Sequence, residues 1–243
     1  MIVAIDAGNS RIKWGLHDGA GWAARGVLAT ADVAWLSEAA DEWPREARVV
    51  VCNVAGAEVG NRIAALLSPR HGELLHFRAA AGCCGVQNGY ANPAQLGADR
   101  WAALVGARGL CRHDCLVVCA GTATTIDRLD ADGQFRGGVI LPGFDLMRAA
   151  LAGNTAQLPL AEGELREAPT NTMDAIVSGC LNAQLGAIER LFAPLAALPG
   201  ACCLVTGGAA PRLLPHLNVP ARHEESLILA GLIRYANSLV ATS

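Results

Sequence analysis

The chain is poor in charge and in aromatic rings. Only 17% of its 243 residues are Asp, Glu, Lys or Arg and 5% are Phe, Trp or Tyr, against 52% hydrophobic residues. That balance excludes a long disordered tail, and the length allows one large domain or two ordinary ones around a substantial core. A basic excess is lacking too. With a formal net charge of -3 the chain has no electrostatic footprint for DNA or RNA, and no nucleic-acid partner is expected. No apolar run approaches the roughly 20 residues of a membrane helix. The N-terminus reaches Asp6 without a basic leader or a cleavage site, so the expected setting is the cytoplasm, away from membranes.

Other signatures are missing as well. There is no G-x-S-x-G elbow, and the six histidines are scattered, mostly near turns or charges, so Ser-His-Asp or Cys-His catalysis has no local signature. Cysteine is plentiful, at nine, but the odd total and the adjacent pairs Cys83-Cys84 and Cys202-Cys203 fit reduced thiols better than a disulfide framework. Cys111, Cys115 and Cys119 have no second ligand pair downstream, which argues against a structural metal.

What is present is one turn written twice. Asp6-Ala7-Gly8-Asn9-Ser10 follows the apolar run Ile2 to Ile5 and leads into the alternating Arg11-Ile12-Lys13-Trp14-Gly15-Leu16, closed by Asp18-Gly19. Cys119-Ala120-Gly121-Thr122-Ala123 follows Cys115-Leu116-Val117-Val118 and leads into Thr124-Thr125-Ile126-Asp127-Arg128-Leu129, closed by Asp132-Gly133. Gly8 and Gly121 are 113 positions apart and the closing Asp-Gly turns 114, a duplication with one residue of slippage. Further strands are expected at 48–54 and 201–205, and helices at about 31–42, 58–67 and 226–239. Met173, Ile176, Val177, Cys180, Leu181, Leu185, Ile188 and Phe192 share one helical face. Strands alternating with helices predict an α/β protein of two similar lobes, 1–110 and 111–243, with the last helix able to cross back to the first lobe.

Such turns, facing each other across a cleft, would suit a polyphosphate. Glycine lets the backbone turn its amides toward phosphate oxygens, Asn9 and Ser10 add neutral donors, and Lys13 adds a point charge. Asp6 at the strand end suits Mg²⁺ or its waters, although an Asx-turn in an ordinary hairpin would explain the same residue. In the second copy Gly121 and Thr122 are the phosphate candidates, while Thr124 and Thr125 fit plain β-branched strand positions. Gly207-Gly208 after the strand at 201–205 is the candidate for the adenosine side. A third constellation, Tyr90 to Trp101, places Asp99 and Arg100 in the first turn of a helix. Asp99 is favourable there, whereas Arg100 opposes the dipole, so a function or a salt bridge must account for it. A carboxylate that accepts a hydroxyl proton, with an arginine that holds an acid group, describes a kinase for a small hydroxy acid.

With Asp6-x-Gly-Asn-Ser and Lys13, Tyr90 with Asn92-Pro93, Gly97-Ala98-Asp99-Arg100-Trp101, Gly121 to Asp127, Gly137-Gly138 with Pro142-Gly143, and Asn171-Thr172, the chain resembles the type III pantothenate kinases. These belong to the superfamily of acetate and sugar kinases, heat-shock ATPases and actin. The resemblance implies a duplicated actin-like (ribonuclease H-like) fold with mixed sheets flanked by helices. It implies transfer of the ATP γ-phosphate to the primary hydroxyl of pantothenate, opening coenzyme A synthesis. By that similarity residues 6–13 and Thr122 contact ATP, Tyr90, Gly97, Ala98, Asp99, Arg100 and Thr172 contact pantothenate, and Asp99 accepts the proton. It further implies a homodimer with a shared active site, which would turn Arg100 outward. An ordinary aspartate, with a pKa of about 4, is a weak base. Alignment and charge neutralisation by Lys13, Mg²⁺ and the turns are therefore expected to supply most of the rate. Family members commonly use an aspartate to help bind K⁺ or NH₄⁺ where this chain has Cys119, and a neutral thiol is a poor ligand for a hard cation. The alternative is a nucleotide-binding regulatory protein of the same fold without kinase activity.

Overall fold

The computed structural model describes residues 1–154, 160 and 162–240. The chain runs β1 (Ile2–Ala7), β2 (Arg11–His17), β3 (Trp22–Ala29), α1 (Leu36–Asp41), β4 (Arg48–Asn53), α2 (Ala57–His71), β5 (Leu75–Phe77), β6 (Gly82–Cys83), β7 (Val86–Asn88) and α3 (Ala98–Leu110). It continues with β8 (Cys115–Ala120), β9 (Ala123–Leu129), β10 (Gln134–Pro142), α4 (Phe144–Asn154), α5 (Thr172–Phe192), β11 (Cys202–Thr206), α6 (Ala210–Leu213), β12 (Ala221–His223) and α7 (Leu227–Val240).

Two compact units result. The first takes Met1–Arg112, Asp132–Phe135 and the chain from Ser226 on, and the second takes His113–Ala131 and Arg136–Glu225. The units thus interleave along the chain: residues 132–135 join the first unit, and so does α7, the last helix that the sequence allowed to cross back. α7 packs on α3 through two glycines. A Cβ on Gly106 would overlap the carbonyl oxygen of Leu227, and one on Gly231 would overlap that of Ala102. Glycine costs a helix interior roughly 1 kcal/mol relative to alanine. Here it lets two backbones approach, and it brings the wholly buried Trp101, Leu104, Val105 and Leu232 into close packing.

The first unit holds a five-stranded sheet in the order β3-β2-β1-β4-β5. β1 runs antiparallel to β2 and parallel to β4, so it is central and all six of its residues are buried. Val3, Ile5 and Ala7 join Ile12, Val49, Val51 and the α2 residues Ile63 and Leu67 in one core. Side chains alternate along a strand, which puts Ile2, Ala4 and Asp6 on the other face. There α7 lies against β1 and α3 against β4. Asp6 is therefore a carboxylate on an apolar strand, under two helices.

In the second unit β12-β11-β8-β9-β10 are neighbours in that order. β8 is antiparallel to β9 and parallel to β11, which is parallel to β12. Only the first residues of β10, Gln134 and Phe135, belong to the first unit, where they pair with Gln87 and Asn88 of β7. Leu116, Val118, Ala120 and Ile126 pack with Ile176, Val177, Cys180, Leu181, Leu185, Ile188 and Phe192 of α5. Met173, expected on the same face, is exposed in the opening turn of that helix.

The duplication is plain in the pairing. β4 adds to β1 as β11 adds to β8, in parallel, and each pair carries an antiparallel hairpin on its other side. Ala7 pairs with Ile12 but Ala120 with Thr124, so the second turn is one residue shorter. The second Asp-Gly signal then falls two residues late, which leaves the net slippage of one. By position on the ladder the counterpart of Asp6 is Cys119 and that of Lys13 is Thr125.

Candidate active site

β1 delivers Asp6 and β2 delivers Lys13 to the same place, because the two residues are paired directly across the ladder. Asp6 is only 7% exposed, and its pKa is raised from 3.8 to about 7, chiefly by burial and next by the charge of Asp99, with Lys13 opposing. Cys52, paired with Asp6 on β4, is raised for the same reasons: burial, then Asp6, then Asp99. Asp6, Lys13 and Asp99 thus form one electrostatic cluster in the first unit. Two carboxylates against one ammonium are a donor set that fits Mg²⁺, a hard cation that takes oxygen ligands. Among the described residues no group of three or more His, Cys, Asp or Glu is placed to hold a metal by itself.

Backbone and side-chain hydrogen bonds tie down the turn between β1 and β2. Gly8 N–H donates to the Arg11 carbonyl at 3.0 Å, the Thr30 hydroxyl donates to the Gly8 carbonyl at 2.7 Å, and Thr30 N–H donates to the Ser10 carbonyl at 3.1 Å. Asn9 and Ser10 are exposed. Gly8 does not adopt a positive φ. Its small size is used instead, since a Cβ would stand 3.2 Å from the Arg11 carbonyl oxygen.

Asp99 sits in the first turn of α3, where its carboxylate accepts from the Arg100 N–H at 2.8 Å. Gly97, the residue before the helix, makes room for it: a Cβ there would lie 2.7 Å from Asp99 Oδ1. Arg100 is buried, at 4% exposure, and does not turn outward. Its guanidinium donates to the Tyr90 hydroxyl at 2.9 Å and lies 5.7 and 5.9 Å from the ring centroids of Tyr90 and Phe135. A cation that the helix dipole disfavours is thus held by two aromatic faces and a phenol oxygen. Tyr90 is set by its own N–H, which donates to the Asn88 side chain at 3.1 Å.

Glycines far apart in sequence converge around the second turn. Gly143 N–H donates to the Thr122 carbonyl at 2.9 Å, and a Cβ on Gly143 would overlap the Gly121 carbonyl oxygen. Gly207, at φ +99°, packs so closely on Ala120 that any Cβ would overlap its carbonyl oxygen. Gly121, Thr122 and Gly208 are exposed, and Thr172 is exposed at the start of α5, whose cap is the Asn171 side chain. Cys119 pairs with Thr125 and Thr206, and the Thr125 hydroxyl is buried with no hydrogen-bond partner.

Cys52 and Phe135 escaped the sequence reading. Cys52 looks like any small residue of a buried strand, and Phe135 like any core aromatic. Only the β1–β4 register and the β7–β10 pairing connect them to Asp6 and Tyr90.

Two units, each with a glycine turn between its first two strands, make up an actin-like fold. The dehydratase activator of Clostridium difficile, solved with bound ADPNP, superposes with a TM-score of 0.56 at 11% identity, covering 99% of this chain and 96% of that one. A Campylobacter jejuni protein assigned to the Baf family of transcriptional activators superposes with a TM-score of 0.67 at 21% identity, over 99% and 100% of the two chains. Both likenesses show the fold alone. In sequence, the type III pantothenate kinase of Aromatoleum aromaticum is 58% identical over 232 residues, 96% of each chain. That of Dechloromonas aromatica is 50% identical over 232 residues, 96% of this chain and 97% of the other. The family model described as type III pantothenate kinase matches residues 2–194. The chain belongs to the type III pantothenate kinase family.

Proposed function

We propose that this chain transfers the γ-phosphate of ATP to the primary hydroxyl of pantothenate, giving 4′-phosphopantothenate in the first step of coenzyme A biosynthesis. The observation that carries the assignment of roles is the Asp6, Lys13 and Asp99 cluster, with Arg100 and Tyr90 beside Asp99 on α3. Lys13 and the amides of Gly8, Asn9 and Ser10 bind phosphate oxygens, to which Gly121 and Thr122 add donors, and Gly207 and Gly208 contact the adenosine. Asp99 aligns the attacking hydroxyl and takes its proton. Tyr90, Gly97, Ala98, Arg100 and Thr172 contact pantothenate, with Arg100 as the partner for its carboxylate. Asp6 would hold Mg²⁺ through water, and the ion would supply charge neutralisation at the phosphoryl oxygens. Phosphoryl transfer gains mainly from positioning and charge neutralisation, so Lys13 and the turns contribute more than proton removal does.

We place the enzyme in the cytoplasm as a homodimer with a shared active site. No helix among the described residues is long and apolar enough to cross a membrane. For K⁺ or NH₄⁺ the residues fit poorly: Cys119 offers a thiol between Thr125 and Thr206, and turnover is proposed to be independent of monovalent cation. A coupled assay for ADP across a panel of hydroxyl acceptors tests the assignment. Turnover with pantothenate above the other acceptors supports it, and nucleotide binding without turnover would favour a regulatory protein.

A further inference from the structure

The two adjacent cysteine pairs are folded into opposite situations. Cys202 and Cys203 follow one another in β11, so their side chains leave on opposite faces, and burial pushes the wholly enclosed Cys203 thiol up to about 12. Cys83 and Cys84 lie at a hairpin tip. Gly82 pairs with Gln87 and Cys83 with Val86, which leaves Cys84 and Gly85 as a two-residue loop. Both have positive φ, +50° and +78°, the pattern of a type I′ turn. Cys84 is the one non-glycine residue with positive φ among the described residues.

That turn folds the pair together. The Cys83 thiol donates to Cys84 Sγ at 3.2 Å, and both side chains are partly exposed. Arg234 of α7 donates to the Cys84 carbonyl at 3.2 Å. The hydrogen bond from Cys83, one from Ser238 and the charge of Arg234 hold the Cys84 thiol below the usual cysteine range. Cys83, as the donor, is held above it.

We propose that Cys83 and Cys84 are a vicinal dithiol site that hydroperoxides oxidise to a disulfide within the β6–β7 hairpin. The Cys84 thiolate attacks the distal peroxide oxygen. An S–O bond forms, the O–O bond breaks and an alcohol or water leaves with the proton, while sulfur is oxidised by two electrons to the sulfenic acid. The Cys83 sulfur then attacks Cys84, the S–S bond forms, the S–O bond breaks and water departs with the Cys83 proton. Neighbouring Cα atoms stand about 3.8 Å apart, closer than the roughly 4.4–6.8 Å of ordinary disulfides. The ring is therefore strained, and a dithiol reductant reopens it.

Trypsin isolates the site, because Arg78 and Arg100 bound a peptide, residues 79–100, whose only cysteines are these two. Full-length protein is treated with an equimolar amount of hydrogen peroxide, unfolded in urea and alkylated there with N-ethylmaleimide, then digested and weighed. The expected peptide is two hydrogens lighter and carries no maleimide, reduction before alkylation restores two labels, and the other seven cysteines stay labelled. In Cys83→Ser, dimedone traps a sulfenic acid on Cys84, whereas in Cys84→Ser the remaining Cys83 is still alkylated. Two maleimides on the wild-type peptide after peroxide, or a disulfide from either residue to a distant cysteine, would overturn the proposal.

Discussion

Asp6 and Lys13 stand opposite each other on adjacent antiparallel strands, so carboxylate and ammonium share one face of the first sheet. The pair is unequal in its setting: Asp6 is buried and faces the charge of Asp99, while Lys13 is partly exposed and is the only lysine of the chain. Lys13→Ala removes the point charge proposed for the phosphates, and kcat in the ADP-coupled assay is expected to fall by about 10²–10³-fold, the cost of one preorganised charge stabiliser. Unchanged kcat would remove Lys13 from the phosphate site.

Asp99→Asn keeps the shape of the side chain and deletes its negative charge. Turnover with pantothenate is expected to drop by about 10²–10⁴-fold. Undiminished turnover would exclude Asp99 as the proton acceptor. The same variant relieves Asp6, whose pKa should move down from about 7 because the repulsion between the two carboxylates is gone.

The Asp6 shift also sets a stability profile. Its folded pKa of about 7 lies above the ordinary 3.8, so between those values the folded state binds more protons than the unfolded state, and stability falls as pH rises. At about 1.4 kcal/mol per pKa unit, the loss across this window is on the order of 4 kcal/mol for protein without divalent cation. Urea unfolding from pH 4 to 8 should show the decline, and Asp6→Asn should flatten it. A profile that rises across the window in wild type alone would contradict the burial of this carboxylate.

Gly106 and Gly231 form the crossing of α3 and α7. Alanine is the better helix former at both positions, yet its methyl would overlap a backbone carbonyl. Gly106→Ala and Gly231→Ala are each expected to destabilise by about 1–3 kcal/mol, as overpacking does. For a chain of this size that lowers Tm by roughly 2–4 °C per kcal/mol in calorimetry. A rise in Tm would mean that the helices separate at no cost.

The proposed independence from monovalent cation rests on Cys119. Wild-type activity is expected to be flat across K⁺ concentrations, and Cys119→Asp, which places a carboxylate opposite Thr125, is expected to introduce a K⁺ dependence. Strong K⁺ activation of the wild type would show that other oxygens hold the ion.

Local chemistry alone made the two glycine turns, the alternating strands after them and the α5 core face legible, because each depends on neighbours within a few positions. From these followed the duplicated α/β fold, and from Asp6, Lys13, Asp99 and Arg100 the kinase reading. Tertiary structure decided what depends on residues distant in sequence. The raised pKa of Asp6 needs helices above it and Asp99 beside it, and the inward Arg100 needs the rings of Tyr90 and Phe135. The two Cys-Cys pairs read alike as letters, but a tight turn brings one pair of sulfurs together while an extended strand sends the other pair to opposite faces. The close crossing of α7 on α3 depends on two glycines, each a poor helix residue by itself, that meet where the helices cross.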